Sequence, residues 1–202
     1  MINQLLTVNT LSNRFFAMRH GHSEANESGL VISDPKWGVS NYGLSPRGRF
    51  QVEKSVQGKH SLDADTWLVS SDFKRAMETT QLLQELLQSK YPIRWESRLR
   101  ERFFGQYDRG PDIVYPQVWE RDSEDPWQTI QDVESANAVM TRATELVIEL
   151  DRQHLNANIL LVAHGDILQI LQTAFAREDA SRHRQLKHLE TAEIRALTLS
   201  PE

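Results

Sequence analysis

Two short apolar runs each end in a histidine followed by a glycine, and no other feature narrows the possible folds so far. Phe15-Phe16-Ala17-Met18 stops at Arg19-His20-Gly21, and Ile159-Leu160-Leu161-Val162-Ala163 stops at His164-Gly165. Apolar runs of this length, closed by a turn residue, fit strands buried on both faces. In open α/β sheets ligands bind at the carboxyl ends of such strands, where loops gather groups from several strands. If the two runs lie parallel and adjacent, His20 and His164 face one crevice. A solvated loop with a stray histidine would explain either run alone, but explains the pair poorly.

Helices fall between the runs. Ser45 and Pro46 make an N-cap and a first helical residue for a segment reaching about Gln57. The turn after it, with a solvated His60, leads to a strand at 66–69. Ser70-Ser71-Asp72 opens a helix to about Gln88 with an apolar stripe of Ala76, Thr79, Leu82, Leu83, Leu86 and Leu87, and Arg75 stands in its first turn. A cation there opposes the helix dipole unless an anion lies between them. Ile93–Trp95 reads as a short strand, and 26–42 as a loop. Asp132 is placed to cap a helix with the stripe Val133, Ala136, Met140, Ala143, Val147 and Leu150. An amphipathic helix follows Gly165, and a last strand covers 194–199. His183 and His188 sit in a polar stretch and read as solvated. The alternation predicts a three-layer α/β/α sandwich with a mostly parallel central sheet.

No Pro/Gly/Ser-rich linker divides the 202 residues, so we expect residues 1–13 to form an N-terminal arm and 14–202 one domain. Residues 106–130, rich in aromatics, proline and acids, read as a lid or specificity insertion. A net charge of −5 argues against a nucleic-acid surface. The chain has no cysteine, which removes disulfides and thiolate nucleophiles. No apolar run is long enough to span a membrane, and the expectation is a soluble cytoplasmic protein.

Four blocks in order resemble the histidine phosphatase superfamily on its phosphoglycerate mutase-like branch: Arg19-His20-Gly21 with Ser23 and Asn26; Ser70-Ser71-Asp72-Phe73-Lys74-Arg75-Ala76; Leu99 to Gly105 around Glu101; and Ala163-His164-Gly165. The resemblance runs from about Phe15 to the C-terminus. His22 departs from it, standing where the family usually carries Glu or Gln. The resemblance implies that His20 is the nucleophile, that Arg19, Asn26, Arg75 and His164 surround the phosphate, and that Glu101 is the acid/base carboxylate. Flanking Arg100 and Arg102 would favour ionised Glu101, which does not suit an acid, while a bound phosphate dianion pushes the other way, so its protonation is expected to be coupled to the substrate's. The expected activity is hydrolysis of a small phosphorylated metabolite through a phosphohistidine, with no metal or other cofactor.

Three rivals stand beside it. A metallohydrolase would use His20, His22 and His164 as ligands. A phosphate-binding protein would keep the pocket without turnover. A mutase would share every catalytic residue, but needs more cover over the site than the 106–130 segment and the short tail after the last strand provide.

Overall fold

A computed structural model describes residues 1–57 and 61–201; His60 lies outside the described residues. The elements are β1 (Arg14–Arg19), α1 (Glu24–Glu27), α2 (Pro35–Gly38), α3 (Pro46–Ser55), β2 (Trp67–Ser70), α4 (Lys74–Leu87), β3 (Arg94–Trp95), α5 (Tyr115–Glu124), α6 (Ala136–Gln153), β4 (Asn158–Ala163), α7 (Gly165–Phe175) and β5 (Ile194–Leu197). The sheet runs β3-β2-β4-β1-β5. β5 alone is antiparallel, pairing Phe15 with Leu197, while β1 and β2 both pair parallel to β4.

Residues alternate between the two faces of the sheet. Phe16, Met18, Leu68, Leu160 and Val162 meet Val52 of α3 and Ala76 and Leu83 of α4. Phe15, Ala17, Ile159, Leu161 and Ala163 meet α6 and α7. This is the α/β/α sandwich, in which each fully buried aliphatic or aromatic side chain contributes about 1.5–3 kcal/mol. The two apolar runs are neighbours, with Phe16 opposite Leu160. The ladder continues past the strand ends, through His20 N–H to Ala163 O at 2.9 Å and Ser71 N–H to Val162 O at 3.0 Å. Three loops therefore leave the sheet side by side.

The structure corrects several expectations. α7 is buried around its whole circumference rather than on one stripe, and its polar residues are satisfied internally: Gln169 Nε2 donates to His183 O at 2.7 Å and Leu186 O at 2.8 Å. Ser135, not Asp132, caps α6 by accepting from Ala138 N–H. Asp132 lies at φ 60 in a turn before the helix and accepts from Gln106 instead. Leu86 is exposed on α4, while Leu82, Leu83 and Leu87 pack on the core. The 26–42 loop contains one helical turn, α2, capped by Asp34 and begun by Pro35. The first residues lie on the domain: Leu5 is buried, and Asn3 Nδ2 donates to Ala174 O at 3.0 Å.

Candidate active site

The loop after β1 is held by close backbone approach. A Cβ at Gly48 would lie 1.9 Å from His22 O, and one at Gly21 2.7 Å from Gly48 O, so the start of α3 seats directly on the loop that carries His20. Ser45 caps α3 by accepting from Gly48 N–H at 3.2 Å. His22 turns its Nδ1 to Ser45 Oγ at 2.9 Å. It thus ties this loop to α3 and does not join His20 and His164.

His20 is buried, with Nδ1 2.7 Å from Gly21 O. A carbonyl can only accept, so the ring proton sits on Nδ1 and Nε2 keeps its lone pair. Burial first, then Arg75 and Arg19, hold the imidazole well below its usual range. His164 carries the complementary tautomer. Its Nδ1 accepts from Arg75 Nε at 3.1 Å, and its Nε2 lies 2.9 Å from Ser71 Oγ. Burial and Arg75 hold it neutral as well. The two rings stand edge to face with centroids 5.1 Å apart.

Arg75, in the first turn of α4, is buried. Its Nε also donates to His20 Nε2 at 3.1 Å, and its Nη2 donates to Ile32 O at 2.9 Å. Burial brings its pKa down to about 10, still charged at neutral pH. Nη1 of Arg75 and Nε of Arg19 are buried donors with no partner. Such groups are rare and costly when left unpaired. Asn26 lines the same cavity. Its Oδ1 is occupied by Ser23 N–H and Ser23 Oγ in a capping box, which leaves its amide N–H groups for the cavity.

Glu101 is buried on the opposite wall. Its Oε1 accepts from Arg102 N–H at 3.0 Å and Ile167 N–H at 3.3 Å, leaving Oε2 for the cavity. Burial, then the neighbouring Asp166, raise its pKa against the pull of Arg75. The sequence suggested the opposite, because Arg100 and Arg102 flank it. Neighbours on extended backbone point apart: Arg100 reaches back to Asp72 as a bidentate pair. Arg102 is buried in an ion cluster with Asp122 and Asp166, at 3.2 Å from the latter.

A cavity of about 190 Å³ is lined by Arg19, Asn26, Glu101 and Gly165, among others, while His20, Arg75 and His164 are not among its lining residues. Tyr115 and Trp119 of α5, within the 106–130 segment, line it as well, whereas Trp127 faces solvent. Asp166 and His188 also line it, and neither was singled out in the sequence. Asp166 is held by Trp119 Nε1 at 2.7 Å. Both histidines of the polar stretch are tertiary contacts and not solvated. His183 is buried with Nε2 3.2 Å from Asp122 Oδ2, and His188 meets Arg19 at 2.8 Å. Asp166 had a local signal, its place in the first turn of the helix behind His164-Gly165. His188 had none.

Among the described residues no group of three His, Asp or Glu side chains is placed to hold a metal ion. The position between the two site histidines belongs to a guanidinium, which would repel one.

The profile of the histidine phosphatase superfamily (branch 1) matches residues 15–202. The chain belongs to that superfamily. Among solved structures, this histidine phosphatase resembles a mycobacterial glucosyl-3-phosphoglycerate phosphatase at TM-score 0.74 and 25% identity, over 91% of each chain. It resembles a protein titled mycobacterial hydrolase 1 equally well, covering 91% of this chain and 87% of that one at 25% identity and TM-score 0.74. A putative alpha-ribazole-5'-P phosphatase from Escherichia coli shares the fold at TM-score 0.71 and 23% identity, covering 91% of this chain and 89% of that one. No curated protein sequence matches significantly. Family and fold make the chain a phosphatase-type enzyme, and among the described residues no helix is long and apolar enough to cross a membrane.

Proposed function

We propose that this enzyme hydrolyses a small phosphate monoester through a phosphohistidine at His20, without a metal. The observation that carries the reading is the set of unpartnered buried donors, Arg19 Nε and Arg75 Nη1, beside a neutral histidine whose Nδ1 proton is fixed by Gly21 O. A phosphate gives each of those donors an acceptor, and charge-assisted bonds of this kind contribute about 1.5–3 kcal/mol each.

In the first step His20 Nε2 attacks phosphorus in line and the P–O bond to the alcohol breaks. Arg75 must release Nε2 as the phosphate takes over its N–H groups. Protonated Glu101 delivers its proton to the leaving alkoxide, so the alcohol departs neutral. His164, which takes a proton from solvent at Nδ1 as the dianion arrives and returns it when phosphate leaves, donates to a phosphoryl oxygen, as do Arg19, Arg75 and Asn26. In the second step the Glu101 carboxylate takes a proton from water, which attacks phosphorus and breaks the P–N bond. Inorganic phosphate leaves and both residues are restored.

The size of the cavity supports a small metabolite rather than a macromolecular substrate. That the mycobacterial relative was solved with VO3 supports an anion pocket of this type. Rapid quenching with labelled substrate, kept out of acid, is expected to trap label on His20, and His20→Ala should abolish turnover. Label found on His164 instead would refute the assignment. Turnover is also expected to survive exhaustive chelation.

A further inference from the structure

His188 lies in the segment between β5 and the 3-10 turn at Ala180–Arg182, and the chemistry above makes no use of it. Arg19 Nη1 stands 2.8 Å from its Nε2. A guanidinium has only N–H groups to offer, so the imidazole accepts at Nε2, and a neutral ring then carries its proton on Nδ1. The ring is neutral at physiological pH. Burial, Arg19 and Arg184 bring it down to about 4, against the opposing pull of Glu190 and Asp166.

That Nδ1–H is buried and has no partner. Arg19 Nε is in the same condition, and both residues line the cavity that holds Glu101 and Asn26. Gly165 brings the two together. A Cβ at that position would lie 3.4 Å from His188 Cε1 and 3.5 Å from Arg19 Nε, so the glycine keeps open a space that touches both side chains. His188 is itself anchored from behind, its carbonyl accepting from Arg195 Nη2 of β5 at 3.1 Å. One nitrogen of a cavity-lining ring is thus a buried donor without a partner, and the other is a fixed acceptor for Arg19.

We propose that His188 is a substrate-contacting residue, donating from Nδ1 to an oxygen of the bound phosphoryl group while its Nε2 holds Arg19 in place. The proposal rests on the reading of this cavity as a phosphate ester site. It adds one neutral donor to the charged groups already described, supplied by the C-terminal part of the chain.

Inorganic phosphate is the probe, titrated calorimetrically at pH 7 into the intact protein and into two variants. His188→Leu removes both the donor and the acceptor and is expected to weaken phosphate binding by about tenfold to a hundredfold, the range of one hydrogen bond to a charged group. His188→Gln offers an oxygen to Arg19 and an N–H to phosphate, and should stay within about threefold of the native affinity. Long-range ¹H–¹⁵N spectra of the unsubstituted protein supply the second measurement, which does not depend on a variant folding. His188 is expected as the Nδ1–H tautomer, with the Nδ1 resonance moving on addition of phosphate. Native affinity in a folded His188→Leu variant, an Nε2–H tautomer, or an Nδ1 signal indifferent to phosphate would each overturn the proposal. The two readings fail separately: phosphate binding that depends on His188 without any phosphomonoester turnover would sink the phosphatase mechanism alone. Turnover with His188-independent phosphate binding would sink this inference alone.

Discussion

His20 and His164 share one donor, the Nε–H of Arg75, at 3.1 Å from each ring. The guanidinium thus bridges both histidines, and its Nη2 is anchored on Ile32 O at 2.9 Å. Lysine cannot reproduce this. An ammonium on a flexible stem lacks the planar fork that spans two rings and a carbonyl. Arg75→Lys is expected to lower kcat/KM for an aryl phosphate by about 10²-fold or more, the range seen when one donor to a reacting centre is removed. Steady-state kinetics with circular dichroism as a check on folding would test it, and a loss under tenfold would show that charge alone matters there.

Burial first, then Asp166, raise the pKa of Glu101, the direction that a general acid needs. General acid catalysis contributes about 10²–10⁴-fold and counts most when the leaving alkoxide is basic. Glu101→Gln should therefore hurt alkyl phosphates far more than aryl phosphates with acidic phenols. Asp166→Asn tests the origin of the shift. Without the neighbouring negative charge Glu101 loses its proton at lower pH, so the alkaline fall of kcat on an alkyl phosphate should begin at lower pH than in the native enzyme. A profile unmoved by Asp166→Asn would leave burial as the whole cause.

The neutral histidines also set the acid stability. His20 and His164 are held well below 6.5, and His188 at about 4. Below pH 6.5 the unfolded chain binds protons at these positions that the folded chain refuses, so stability falls as the pH drops from about 6.5 towards 4. Each fully buried ring contributes a slope of up to about 1.4 kcal/mol per pH unit. Glu101, with its raised pKa, opposes this as a single group. Tm measured from pH 7.5 to 4.5 should decline from about 6.5 downward, and His188→Gln should make the decline shallower. A Tm that stays flat to pH 5 would contradict the neutral assignment.

The parts of the site that the sequence revealed are those fixed by local chain geometry. His20 and His164 sit at the carboxyl ends of parallel strands, and Arg75 in a first helical turn, so a strand run or a helix start in the sequence also gives a position in space. The environment of Glu101 was misread for a local reason as well. Arg100 and Arg102 flank Glu101 in sequence, yet both turn away from it, to Asp72 and Asp122. His188 was out of reach altogether. Its segment has no period, and its place depends on Arg19 from β1 and Arg195 from β5, contacts made only once the sheet exists. The full burial of α7 is likewise a tertiary outcome: Gln169 and Thr173 look like a solvent face until the 183–186 segment covers them.

A phosphatase and a mutase differ in whether water or a second alcohol reaches the phosphohistidine first, and the cover over the cavity bears on that choice. Excluding water needs a closed lid. Here α5 brings Tyr115 and Trp119 to one wall, but the mouth beside them carries Asp112, and Ile113 is 79% exposed. Residues 198–201, after β5, run against the C-terminal end of α7. Ser200 N–H donates to Phe175 O at 2.9 Å, and Arg177 Nε donates to Ser200 O at 2.7 Å, which ties this stretch to the far end of α7. At about 1.5 Å per residue, that end lies some 15 Å along the helix from the Gly165 end that borders the cavity. With this cover, water is expected to reach phosphorus before a second alcohol does. Incubation with 3-phosphoglycerate and its bisphosphate primer should release inorganic phosphate faster than it forms 2-phosphoglycerate. The reverse order would mean that the cover closes further on binding than the open mouth suggests, and would reassign the chain to phosphoryl transfer between alcohols.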